Sequence, residues 1–201
     1  MNEVTIYLVK TSFIKENLSY VSNFVDKNRL KKANRYVNEK DRLLSLGAAF
    51  LMKKYLRNKE IKENENGKPH ISGGPFFNVS HSGEYSVIAI QNEREVGIDI
   101  QLINEDKLDA IEYVLSEKEK HVIDSNTLFQ VWTNKESLIK CTSNGLKDIK
   151  KVSGLPLEGN RTIDNEEYYT KSLILGKYAL SLTLKGKEPF EMVIKQVDTL
   201  D

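Results

Sequence analysis

The 201-residue chain has a single cysteine, Cys141. That scarcity excludes an internal disulfide and a cysteine-rich zinc site, and it fits a reducing, cytoplasmic compartment. Neither sign of charge predominates: 30 basic residues stand against 29 acidic ones, a formal charge of +1. The balance argues against bulk electrostatic binding to nucleic acid, although it leaves local basic patches open. No apolar run approaches the length of a bilayer span, so no membrane segment is expected. The opening MNEVTIYLVK lacks the basic-then-apolar layout of a signal peptide. Short-period repeats and low-complexity tracts are also absent.

What is present describes an ordinary globular protein, with 39% hydrophobic and 29% charged residues. The length suffices for one large domain or two small ones with a proper core. After a first strand, VTIYLV, the stretch from Ser19 to Ile61 carries helical spacing and predicts two helices. In the second of these, Leu43, Leu46, Gly47, Phe50 and Leu51 form an apolar stripe. A loop rich in Gly and Pro follows, then the strands FFNVS, YSVIAIQ and VGIDI. The second half opens with two helical patterns, KLDAIEYVLSEKEKHVI and TLFQVWTNKESLIKCTS, the latter ending near Asn144-Gly145. Two β-rich segments, YYTKSLILGKYALSLTL and FEMVIKQV, come last. The pattern predicts an α+β protein of two similar-sized, pseudo-symmetric lobes, 1–100 and 101–201. Each lobe is a small, mainly antiparallel sheet packed with helices.

One strand poses a question. In Val96-Gly97-Ile98-Asp99-Ile100-Gln101, the apolar residues fall on one face and Gly97, Asp99 and Gln101 on the other. A carboxylate beside so much apolar surface requires a hydrogen bond, a counter-charge or a bound cation. Thirty-seven residues later, Glu136 and Lys140 share one helix face, with Trp132 a turn earlier. Taken singly, each has a plain structural account: a solvated helix ion pair for Glu136 and Lys140, a loop cap for Asp99. The same holds for Lys68 in a Gly-Lys-Pro turn and for His81 between two apolar strands.

In order, however, the blocks Gly67-Lys68-Pro69, FNVSHSG (77–83), VGIDI (96–100) and WTNKESLIK (132–140) form one series. It resembles the 4′-phosphopantetheinyl transferases, specifically the two-lobed type that activates surfactin synthetase. The family pattern is G-K-P, F-N-x-S-H-S/T, V-G-I-D-I/V-E and W-x-x-K-E-S/A-x-x-K, and the resemblance covers Gly67 to Lys140. It implies transfer of the phosphopantetheine arm of coenzyme A to a serine of an apo acyl or peptidyl carrier protein, releasing adenosine 3′,5′-bisphosphate. It also implies magnesium, which takes hard oxygen ligands and keeps several waters.

Carried over residue by residue, Asp99 and Glu136 hold the metal, which would be the missing partner of Asp99. Glu136 also orients or deprotonates the carrier serine, directly or through water. Lys140 sets positive charge against the reacting phosphate. His81 and Ser80 hold the pyrophosphate, and Lys68 with Pro69 the adenine-nucleotide end of coenzyme A. From the basic helix region, Lys31 and Arg42 are chosen for the 3′-phosphate, a solvated helix face being the other account.

The departure from the pattern is Gln101, where the surfactin-type enzymes carry glutamate as a third metal ligand. An amide oxygen or a water can fill that place without adding charge. Gln101 is also the one feature favouring a catalytically silent module that binds coenzyme A or a carrier protein. An unrelated nucleotide phosphotransferase lacks support, since there is no Gly-x-x-x-x-Gly-Lys-Ser/Thr loop. The segment after Asp99 is the family's carrier contact region, where Leu108, Ile111, Tyr113, Val114 and Leu115 offer either an apolar patch or core. The family's architecture also implies a monomer.

Overall fold

In the computed structural model the described residues are 3–57, 59–104, 106, 108–121, 124–142, 149, 150 and 152–200, with 109 and 110 described by backbone alone. The alternation in β1 (Glu3–Lys10) sets the layers. Val4, Ile6 and Leu8 point into one core, and Tyr7 and Val9 into another. Beside β1 run β5 (Tyr85–Gln91) and then β4 (Phe76–Ser82), both antiparallel to their neighbours. On its other side β10 (Glu191–Val197) pairs parallel, giving the order β10-β1-β5-β4. The second sheet is antiparallel throughout, in the order β6 (Val96–Leu102), β9 (Tyr178–Lys185), β8 (Glu166–Leu175) and β7 (Glu158–Ile163). The short strands β2 (Lys62–Glu63) and β3 (Pro69–His70) pair within the expected loop.

The two large sheets share a core. Val4, Ile6, Leu8, Val87 and Ala89 of the first meet Val96, Ile98, Ile100, Leu180, Leu182 and Leu184 of the second. Helices cover the outer faces. On the first sheet lie α1 (Thr11–Glu16), α2 (Leu18–Phe24), α3 (Lys27–Ala33) and α4 (Glu39–Tyr55), whose predicted stripe is buried as read. On the second lies α6 (Ser125–Thr142), packed on β6, β8 and β9. The α+β reading holds. No helix among the described residues is long and apolar enough to cross a membrane.

Two helical expectations change. Where the spacing predicts two helices from Ser19 onward, the chain is divided further. Val25 and Asp26 are extended between α2 and α3, and Asn38 caps α4 by accepting from the Lys40 and Asp41 amides. The expected helix over 107–123 shrinks to α5 (Leu108–Glu112) and a single 3-10 turn, Glu119–His121, with residues 122 and 123 outside the described ones. The cause is Glu119, which turns inward: its Oε2 accepts the Ser116 amide at 2.7 Å and pairs with Lys135 at 2.8 Å. α6 starts at an Asp124 cap on the Thr127 amide, and its expected end near Asn144-Gly145 also lies outside the described residues. Strand β7 is an addition to the elements the sequence predicts, since EGNRTI has neither alternation nor much apolar content.

Candidate active site

The first sheet ends on β4 and the second begins on β6, and these two edge strands lie side by side without a backbone ladder between them. Side chains take its place. Asn78 Oδ1 accepts the Ile98 amide at 3.1 Å, Ser80 Oγ the Ile100 amide at 3.4 Å and Ser82 Oγ the Leu102 amide at 3.0 Å. The polar alternation of Asn78, Ser80 and Ser82 is thus the edge partner that β6 would otherwise lack. The residues of FNVSHSG that sequence reasoning did not single out, Asn78 and Ser82, fix the register between the sheets. Their place two residues either side of Ser80 was the available signal.

Asp99 sits on this seam, facing α6, and is 6% exposed. Its Oδ1 accepts Ser80 Oγ at 2.8 Å and Lys140 Nζ at 2.6 Å, while Lys140 Nζ also donates to Ser80 Oγ at 3.1 Å. The protein itself therefore supplies hydrogen bonds and a counter-charge for the carboxylate that looked misplaced in the sequence. α6 reaches so close because Gly97 has no side chain. A Cβ there would overlap the Ser137 carbonyl oxygen and the Cys141 amide nitrogen. Ser137 Oγ and Thr133 Oγ1 add bonds of 2.8 and 2.7 Å to Thr183 and Ser181 on β9.

Glu136 is buried on α6 one turn before Lys140. Burial, and then the charge of Asp99, push its carboxyl up to about 7 against the opposing pull of Lys140. Gln101 donates its amide nitrogen to Ser82 Oγ at 2.9 Å and to the Leu102 carbonyl at 3.2 Å, and among the described residues no hydrogen bond engages its carbonyl oxygen. Among the described residues no three His, Cys, Asp or Glu side chains cluster as a metal site. Asp99, Glu136 and the Gln101 oxygen are nonetheless hard oxygen donors, a set that suits magnesium once waters complete the shell.

The other expected residues divide. His81, exposed on β4, has its imidazole held below the ordinary value by partial desolvation and by the Lys140 charge, with Asp41 and Asp99 pulling the other way. It belongs to the same neighbourhood. Lys68 reaches Glu95 at 3.1 Å and the Cys141 carbonyl at 3.3 Å, so the Gly-Lys-Pro turn abuts the C-terminal end of α6. Beside it, Lys68, Pro69 and Phe76 line a cleft of about 230 Å³. Lys31 is exposed on α3, and Arg42 is half-buried on α4 with its Nε buried and unbonded. No hydrogen bond among the described residues joins either to Asp99, Ser80 or Lys140.

Of the five residues expected to offer either a carrier patch or core, Ile111 and Leu115 are core, Leu108 and Val114 are half-buried, and only Tyr113 is well exposed, at 75%. Lys150 Nζ lies 3.6 Å from the centre of the Tyr113 ring. The larger cleft, about 570 Å³, opens at the end of the seam beside Gly83, Tyr85, Leu102 and Tyr178.

The chain is similar to known proteins. The family described as the 4′-phosphopantetheinyl transferase superfamily matches residues 95–183. The 4′-phosphopantetheinyl transferase gsp of Aneurinibacillus migulanus is 34% identical over 161 residues, covering 73% of this chain and 68% of that protein. The 4′-phosphopantetheinyl transferase of Bacillus subtilis is 35% identical over 91 residues, 41% of this chain and 40% of its own length. The 4′-phosphopantetheinyl transferase AcpT of Salmonella typhi is 32% identical over 92 residues, 40% of this chain and 48% of its own length. The chain thus spans two thirds of the first relative and less than half of the other two.

Proposed function

The chain belongs to the 4′-phosphopantetheinyl transferase superfamily, and on that footing we propose that it acts as a holo-carrier-protein synthase. It transfers the 4′-phosphopantetheine arm of coenzyme A to a serine of an apo acyl or peptidyl carrier protein and releases adenosine 3′,5′-bisphosphate. The observation that carries this reading is the convergence of Asp99, Ser80 and Lys140 within 3.1 Å of one another, with Glu136 one helical turn away.

Asp99 and Glu136 would hold a magnesium ion, with Gln101 or a water as the third ligand. When bound, it supplies Lewis-acid polarisation of the pyrophosphate. In the reaction, the serine oxygen bonds to the phosphorus that bears the pantetheine. The bond from that phosphorus to the bridging oxygen breaks, and the pair of electrons leaves with adenosine 3′,5′-bisphosphate. Glu136 takes the serine proton, directly or through water. Lys140, fixed by Asp99 and Ser80, places positive charge where the phosphate gains negative charge. Ser80 and His81 hold the pyrophosphate, Lys68 and Pro69 the adenine-nucleotide end, and Lys31 with Arg42 the 3′-phosphate. All these groups come from one chain, which supports action as a monomer.

The test is intact-protein mass spectrometry of an apo carrier protein incubated with coenzyme A, magnesium and this protein. The expected result is a gain of one phosphopantetheine, abolished in Asp99→Ala and Glu136→Ala. Coenzyme A binding with no gain on any of several unrelated carriers would instead support the silent module and implicate Gln101.

A further inference from the structure

We propose that Tyr178 is a positioning residue whose hydroxyl latches the turn after Ser80-His81-Ser82 and so fixes where Ser80 and His81 stand. Its kinetic consequence rests on the transferase reading above; its mechanical consequence does not. Tyr178 lies on β9, directly opposite Leu102, the residue after Gln101. It is 7% exposed, and its ring meets Tyr85 edge-on at 5.1 Å. Its hydroxyl accepts the Glu84 amide of the β4–β5 turn at 3.0 Å. Gly83, at φ +61°, cradles that hydroxyl: a Cβ there would overlap it.

The bond completes a series. Backbone amides at Ile98, Ile100 and Leu102 are taken by side chains at Asn78, Ser80 and Ser82. Two residues on, at Glu84, the roles reverse, and the first sheet donates a backbone amide to a side chain of the second. The Glu84 carbonyl accepts the Thr11 amide at 2.8 Å, which holds the turn to its own lobe. Among the described residues, the Tyr178 bond is what ties it across the seam. The 570 Å³ cleft opens against Gly83, Glu84 and Tyr85, so the turn lacks a packed wall on that side. A turn untied there is free to draw β4 away from β6. Ser82 then loses Leu102 and Gln101 first, and Ser80 its shared bond to Asp99 and Lys140 next.

Tyr178→Phe keeps the ring and removes the latch. Two readouts separate a positioning role from a merely structural one. By amide hydrogen exchange, Leu102 and then Ile100 should exchange about fivefold faster, the worth of one typical hydrogen bond, with the β8–β9 amides unchanged. In steady-state transfer, KM for coenzyme A should rise by a similar factor of about five while kcat stays within about twofold. Gly83→Ala, which pushes the hydroxyl off from the other side, should move both readouts in the same direction. Unchanged exchange at Leu102 and Ile100 in both variants overturns the latch, as does a melting-temperature loss with KM unaltered. If the wild-type protein modifies no carrier, the transferase reading fails and the exchange measurement alone decides the latch.

Discussion

α6 carries two lysine–carboxylate pairs five residues apart, and they behave as opposites. Lys135 and Glu119 are both fully buried at 2.8 Å, and each is bonded on more than one side. Lys135 Nζ also donates to the Val114 and Ile149 carbonyls, and Glu119 accepts the Ser116 and Gly154 amides. Lys140 and Asp99 are tighter, at 2.6 Å. Lys140 nonetheless keeps 29% of its side chain exposed, and among the described residues only Asp99 Oδ1 is engaged. The sealed pair pins the 3-10 turn and the segment around Gly154 to the helix. The open pair leaves an oxygen and part of an ammonium for something else to bind. Closure marks the structural pair and incompleteness the candidate active one.

Removing one member of the sealed pair should have the largest effect. Lys135→Met strands Glu119 and should lower stability by about 3–5 kcal/mol, read from the urea midpoint. Pairing it with Glu119→Gln, which removes the buried charge but keeps an acceptor for the Ser116 and Gly154 amides, should recover part of that loss.

The two glutamates should next separate by pH. For Glu119, burial alone would raise the pKa, but the bonds from Lys135, Ser116 and Gly154 outweigh it and hold it below the ordinary 4.5. Its contribution is therefore complete above that value and lost as pH falls through its lowered pKa. Glu136 is raised to about 7, so the folded state holds its proton where the unfolded state has released it. Its contribution falls as pH rises from 4.5 towards 7, by roughly 3 kcal/mol. Metal-free unfolding at about pH 5 and about pH 8 should show that decline in the wild type and not in Glu136→Gln. An equal decline in both would place its origin elsewhere.

Gly97→Ala tests how the open pair is assembled. The added methyl collides with α6 backbone, so about 1–3 kcal/mol of stability should be lost, measured by thermal unfolding, together with transfer activity as Lys140 leaves Asp99. Lys140→Met, which leaves Asp99 its Ser80 bond, should cost less stability than Lys135→Met, because Lys140 is partly exposed where Lys135 is sealed. Transfer should nevertheless fall by about 10²–10³ in kcat, the scale of removing one electrostatic stabiliser. A large stability loss would erase the contrast between the pairs.

Much of this was legible in the residues. Short apolar runs disclosed β1, β4 and β5, the two-residue period disclosed β6, and four ordered motifs located Asp99, Glu136 and Lys140. The sealed pair was not legible. Lys135 lies inside a motif, but Glu119 sits 16 residues earlier in a stretch with respectable helical spacing, and only tertiary placement turns it inward. Gly97 and Tyr178 escaped for a related reason. One matters for the side chain it lacks and the other for a bond to a turn 94 residues away. Lys31 and Arg42 lie among several basic residues, Lys27, Arg29, Lys32 and Arg35 with them, that spacing alone cannot rank.

The parallel pairing of β10 with β1 also bears on synthesis. Glu3 to Val9 line up with Glu191 to Val197. A ribosome adding about 5–20 residues per second therefore holds β1 with β5 alone for roughly 5–20 seconds while the chain from Gln91 to Glu191 is made. During that interval β1, with Val4, Ile6 and Leu8, is an apolar strand with one open edge. A nascent chain stalled before Glu191 should be a chaperone client, whereas the finished one should not.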